Sequence, residues 1–259
     1  MHVSPFVFCP TVFALLLLAG SAGTVLRRRF RTMVADDHTN QFTVLQTSVL
    51  PLLGLLLGFS FSMAVGRFDG RRQAEVAEAN AIRTSFVRTA TLDPELGRRQ
   101  RSAMREYVAA RIAFYEAGND AGKLEGAERR TSELEGQLWE NAMRVGGPGL
   151  ATVRDSPVEA YLTSLTEMFQ VSELRLVAYE NRIPNAAWLL LISVACMANF
   201  LVGLGTWRWN AVLLVVLPVV VASTLTLVYD LDVPRRGLIH VSQKSMERVQ
   251  AEVNAAVGR

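Results

Sequence analysis

Residues 45–91 constrain this chain more than any other stretch. They open as an apolar run, LQTSVLPLLGLLLGFSFSMAV, and pass without a loop signal into RFDGRRQAEVAEANAIRTSF. The first part is long enough to cross a bilayer, which takes about 20 predominantly apolar residues. The second is charged and keeps helical periodicity. A helix that leaves the membrane and continues as a stalk couples a membrane part to a part outside it. Inside the span Gly54, Gly58, Ser62 and Gly66 recur at every fourth position. A strip of small side chains on one helix face lets another backbone approach closely.

Three further runs reach spanning length: 6–26, 186–205 and 211–231, beside the span 44–65 already described. They explain how a chain that is 20% charged still has a mean hydropathy of +0.22. The first run is read as a membrane span and not as a secretory signal. It lacks a basic segment before it, its apolar core is long, and its basic cluster (Arg27, Arg28, Arg29, Arg31) follows it. Pro51 and Pro218 lie inside their spans, where a kink is expected. Trp207 and Trp209, in the turn TWRWN between the last two spans, suit an interfacial aromatic belt.

Residues 67–182 contain no spanning run and read as helices. The stalk is expected to end near Leu92, because Asp93 followed by Pro94 is an N-cap with Pro at the first helical position. The next helix, 94–117, carries Met104, Tyr107, Val108, Ile112 and Tyr115 on one side, and Gly118, Asn119 and Gly122 break it. A third shows the repeat Leu124, Ala127, Thr131, Leu134, Leu138, Ala142, Val145, ended by the glycines of 146–149. Ser156, Pro157 and Glu159 start a fourth, with Val158, Leu162, Leu165, Phe169, Leu176 and Tyr179 at helical spacing. After the last span a short amphipathic helix uses Val241, Met246, Val249 and Val253. Strand alternation is not seen. The expected fold is all-α: four transmembrane helices with a helical soluble domain inserted between the second and third. The segments are 1–66, 67–183, 184–232 and 233–259.

Several function classes have no support. Cys9 and Cys196 lie in apolar runs and read as buried free thiols. The histidines His2, His38 and His240 are scattered, and HExxH, CxxC and Walker-type loops do not occur. No metal or cofactor is implied, no nucleophile stands with a base, and an enzyme is not expected. Arg is interleaved with Glu, not gathered on one basic face, so nucleic acid is not an expected partner. The expected partners are the lipid bilayer and further copies of the chain.

Four spans put the N-terminus, the helical part and the tail on one side. Near the span ends that side carries Arg67, Arg71, Arg72, Arg83, Arg175, Arg182, Arg235, Arg236, Lys244 and Arg248. The other carries Arg27, Arg28, Arg29, Arg31 and Arg208. The count places the helical part in the cytoplasm, although the densest cluster follows the first span. The cytoplasmic side of a bacterial inner membrane is the expectation.

The segment LGLLLGFSFSMAVGRFDGRRQAEVAEANAIRTSFVR resembles the end of the second membrane helix of bestrophin channels, with Arg67–Phe68 as its Arg-aromatic pair. The acidic-Ala stalk (Glu75, Glu78, Ala79, Asn80, Ala81) and the tail LDVPRRGLIHVSQ are similar to the bestrophin-like family of bacterial membrane proteins. Gly66 stands where those channels usually have an acidic residue, and Asp69 replaces the second aromatic. No dense acidic run follows the last span. The resemblance implies an ion channel built as a homo-oligomer with the second span around its axis.

On that reading Phe59, Phe61 and Ser62 are pore candidates, with a phenylalanine ring forming a hydrophobic constriction. The stripe Gly54, Gly58, Ser62, Gly66 packs helices, either within one subunit or around a pore. Arg67, Asp69, Arg71, Arg72, Glu75 and Glu78 are either a solvated stalk face with i,i+4 pairs or a charged ring at a pore mouth. Asp230, Asp232, Arg235 and Arg236 either tie the tail to the stalk arginines or form a helix-end cluster at the headgroups. A membrane-anchored helical sensor or scaffold is the alternative function.

Overall fold

A computed structural model describes residues 4–29, 39–118, 120–146, 157–205, 211–234 and 237–257. The elements are α1 (Pro5–Arg29), α2 (Thr39–Arg88), a 3-10 turn (Thr89–Thr91), α3 (Pro94–Glu116), α4 (Ala121–Gly146), α5 (Pro157–Glu180), α6 (Asn185–Gly205), α7 (Ala211–Asp232) and α8 (Lys244–Val257). No strand occurs among the described residues. The 50-residue α2 runs unbroken through Pro51 and out along the stalk. At 1.5 Å per residue it is about 75 Å long. Trp207, Trp209, Ser156 and most of the 146–149 loop lie outside the described residues.

The chain divides into two compact units, Met1–Phe68 with Arg182–Ile239, and Asp69–Asn181 with His240–Arg259. The first contains stretches of four helices that are long and apolar enough to cross a membrane: α1, the start of α2, α6 and α7. Val12 and Leu16 of α1, Leu53 of α2, Leu191, Ala195 and Ala198 of α6, and Val221, Ala222 and Leu225 of α7 form its core. Phe8 stacks on Tyr229 at 4.3 Å between centroids, with Trp188 edge-on to both. α1 and α6 approach one another backbone to backbone. A Cβ on Gly203 would stand 2.0 Å from the Gly20 carbonyl oxygen, and one on Gly23 would stand 2.2 Å from that of Phe200. Apolar side chains gain little from leaving lipid for one another, so small residues that bring backbones together carry much of the association.

In the second unit each expected apolar stripe folds inward, with two corrections. Asp93 caps α3, accepting from Glu95 N at 2.9 Å and Leu96 N at 3.4 Å, with Pro94 at the first position. Gly118 ends that helix with φ of +59°, where a side chain is disfavoured. Gly122 does not break anything: it lies in the first turn of α4, whose amides Gly122 N and Lys123 N are held by Asp120. The buried stripe of α5 is Tyr161, Leu165, Met168, Ser172, Arg175 and Tyr179. Leu162, Phe169 and Leu176 flank it, half-buried. The tail helix α8 is part of this core, since Met246, Val249 and Val253 pack with Ile82, Met104, Tyr107, Leu134 and Leu138.

Gly203→Ala should therefore destabilise the chain, by about 1–3 kcal/mol or more, because a methyl group there meets backbone that cannot turn aside. Thermal unfolding of the single chain in detergent checks it. Gly58→Ala, with open space around its Cβ position, should leave that transition unmoved. Equal melting of Gly203→Ala and the parent chain would refute the close contact.

Candidate functional site

The membrane stretch of α2 has one covered side. Leu53 and Ala64 are buried, and Leu50, Leu56 and Leu57 pack against the membrane core. The other side is open. Gly54, Gly58, Ser62 and Gly66 are all exposed, and a Cβ built on any of the three glycines meets nothing within 4 Å. Packing within one subunit is therefore not what the stripe does among the described residues. Phe59 and Phe61 are also exposed, at 63% and 39%. Only 11% of this stretch is buried, against 22%, 33% and 44% for the other three candidate spans.

Where the span ends, two carboxylates organise the backbone. Asp232 accepts from Ile183 N at 2.9 and 3.2 Å through its two oxygens, and its Oδ1 lies 4.0 Å from Arg67 Nη1. Asp230 accepts from Leu238 N at 2.7 Å and Ile239 N at 3.1 Å. Gly237 is what allows that loop to close, because a Cβ there would lie 2.5 Å from the Asp230 carboxylate. Both aspartates are buried, so a solvated headgroup cluster does not describe them. The tie to a stalk arginine is made by Arg67. Arg235 and Arg236 lie outside the described residues.

The stalk carboxylates are not on a solvated face. Arg71, Glu75 and Glu78 are 0%, 2% and 0% exposed. Arg71 donates to the carbonyls of Ala178 and Asn181 at 3.3 and 3.2 Å, closing the end of α5. Glu75 Oε1 accepts from Ser245 N and Met246 N at 2.9 and 3.1 Å. It thus caps the N-terminus of α8 from another helix, where free amides and the helix dipole favour an anion. Glu78 takes Arg111 Nε on one oxygen at 2.5 Å and Arg175 Nη1 on the other at 2.6 Å. The correction has a simple cause. Positions 71, 75, 78, 82 and 85 fall on the buried side of α2, and the i,i+4 spacing that allows surface pairing also defines that side. Asp69 and Arg72 remain exposed.

Around Glu78 the polar groups are linked. Arg111 also donates to Tyr115 Oη and to the Ser172 carbonyl, both at 3.2 Å. Arg175 lies 3.5 Å from the Tyr115 ring centroid and donates to Gln243 Oε1. Four elements, α2, α3, α5 and the segment before α8, thereby meet on one carboxylate. Burial works against the Arg111 cation, but the Glu78 carboxylate, Tyr107 and Tyr115 together outweigh it and raise its pKa. Burial also raises Tyr107, whose hydroxyl donates to Glu135 at 3.2 Å, and raises the Glu135 carboxyl in spite of that bond. The sequence reading missed Arg111 and Arg175. The available signal was their position: each sits at core spacing within an apolar stripe. No group of three or more His, Cys, Asp or Glu able to hold a metal occurs among the described residues.

Comparison with known proteins agrees with this architecture. A family model described as a bestrophin-like domain matches residues 13–246. Crystal structures of a bacterial bestrophin homologue from Klebsiella pneumoniae share the fold. A variant of that homologue superposes with a TM-score of 0.73 at 13% identity, covering 100% of both chains. The structure phased with zinc gives 0.69 at 13%, covering 96% of this chain and 98% of the other. Among curated proteins none matches the chain in sequence.

Glu78→Gln should cost about 3–5 kcal/mol, because it leaves two buried guanidinium groups facing a neutral amide. Chemical unfolding checks it, and a loss below about 1 kcal/mol would refute the network. Glu135 gives a second test. Its folded-state pKa is raised, so its contribution is present below the unfolded carboxylate pKa and lost as pH rises through the folded value. Glu135→Gln should melt above the parent at pH 7, with the gap closing below about pH 4. A variant less stable than the parent at pH 7 would contradict this.

Proposed function

The chain belongs to the bestrophin-like family, and on that premise we propose that it is an ion channel working as a homo-oligomer, with the membrane stretch of α2 set around a shared axis. The observation that carries the reading is the open side of α2. A glycine-rich face with two exposed phenylalanines meets no partner among the described residues, whereas the opposite face is packed. A ring of copies supplies the partners. The stripe Gly54, Gly58, Ser62, Gly66 then brings neighbouring α2 helices close. Phe59, the more exposed ring, faces the axis and forms a hydrophobic constriction that closes by dewetting, with Ser62 on the same open side.

Ion preference on this reading is set by charges that reach water. Asp69 and Arg72 do so, whereas Glu75 and Glu78 are committed to the helical unit. The protein sits in the bacterial inner membrane with the helical unit in the cytoplasm. The basic tally supports this even without the buried Arg71 and Arg175: Arg67, Arg72, Arg83, Arg182, Arg235, Arg236, Lys244 and Arg248 stand against Arg27, Arg28, Arg29, Arg31 and Arg208.

The test is ion flux in liposomes containing the purified protein. Phe59→Ala should raise flux several-fold above the parent, because it removes the constriction. Phe61→Ala should change it less. Flux no higher than in empty liposomes, from the parent and both variants, would overturn the channel reading in favour of a membrane-anchored scaffold.

A further inference from the structure

Exposure along α2 has a period. Ser62, Asp69, Val76 and Arg83 stand seven positions apart, and so do Gly66, Gln73, Asn80 and Val87. All eight are exposed. Taken in chain order their steps alternate four and three, the spacing of a heptad seam. An α-helix drifts by only about 20° over seven residues, so both rows stay on one side of it. The buried row Arg71, Glu75, Glu78, Ile82 and Ser85 lies on the opposite side. A seam that closes dry between helices is apolar at nearly every place. Here only Val76 and Val87 are larger apolar residues, so this side keeps water. A groove of about 560 Å³ runs along it in the stalk, lined by Asp69, Arg72, Gln73, Val76, Ala77 and Asn80.

The two rows carry two charges. Arg83 is balanced by Glu252 of α8, at 3.0 Å. Asp69 has no hydrogen bond or ion pair among the described residues. Arg72, three residues on, stands about 60° round the helix from the row of Asp69. Gln73 and Asn80 are neutral. Asp69 is therefore the one unbalanced charge on the rows, and it follows Ser62 by a single heptad. Copies arranged around one axis bring that carboxylate to a common height, which makes a ring. A ring of carboxylates beside a water-filled path attracts cations and repels anions.

Resting on the channel proposed above, we infer that the ions it passes are cations and that Asp69 sets this preference. Arg72 opposes it from the flank of the same groove, and the seam beyond carries no further unbalanced charge among the described residues.

The experiment is the reversal potential of the full chain in a planar bilayer under a KCl gradient, with and without Phe59→Ala. Potassium should pass in preference to chloride. Asp69→Asn should lower the permeability ratio about tenfold, and Asp69→Glu should keep it. Asp69→Asn combined with Val76→Asp should recover most of it, because the new carboxylate stands on the same row one heptad on. No current from either form would overturn the channel reading and this inference with it. Current that prefers chloride would overturn this inference alone. So would a ratio unmoved by Asp69→Asn, as when Arg72 of a neighbouring copy neutralises Asp69.

Discussion

Much of the structure depends on a single helix that buries one side and leaves the other open. In its membrane stretch α2 is covered at Leu53 and Ala64 and open at Gly54, Gly58, Ser62 and Gly66. In its stalk it is covered at Arg71, Glu75, Glu78, Ile82 and Ser85, and open at Asp69, Arg72, Val76 and Asn80. A helix of 50 residues cannot be held by its own propensity in so many Gly, Ser and Thr positions. It is held by what packs on its covered side, as is usual for helices in proteins. What lies against its open side is then the functional question.

The covered side of the stalk is polar at its centre, which is costly to build. A buried carboxylate and two buried guanidiniums must satisfy one another almost completely. Here Glu78 uses both oxygens, Arg111 reaches a hydroxyl and a carbonyl as well, and Arg175 lies over a tyrosine ring and reaches Gln243. Glu75 adds the cap on α8. Each of these bonds fixes the register of α2 against α3, α5 or α8. An apolar centre would tolerate more sliding between helices.

The helices were legible because their signals are local. Spanning length, the Asp93–Pro94 cap and the three-four stripes each predict an element that the structure contains. The partners of the charged stalk residues were not legible. Glu75 and Glu78 have the spacing of a surface ion-pair ladder, and nothing in residues 71–78 says that α8, 170 positions later, needs a cap. Arg111 and Arg175 carried a usable signal, a base at core spacing on each of two helices, but pairing them with Glu78 requires the tertiary fold. The glycines show the same asymmetry. The regular stripe on α2 drew attention by its period, whereas the tight contact is made by Gly20, Gly23 and Gly203, which share no period because they belong to two helices. The open stripe was assigned to a close contact correctly only if that contact is between copies.

That condition is directly measurable. A nitroxide placed at position 62 through Ser62→Cys, in a chain with Cys9 and Cys196 replaced by Ser and reconstituted in lipid, reports what surrounds the open side of α2. If the side faces a shared axis, spectra of fully labelled protein show dipolar broadening that vanishes on dilution with unlabelled chain, and collision with lipid-dissolved oxygen is low. High oxygen collision with no broadening at full labelling would place Ser62 against lipid and contradict the account.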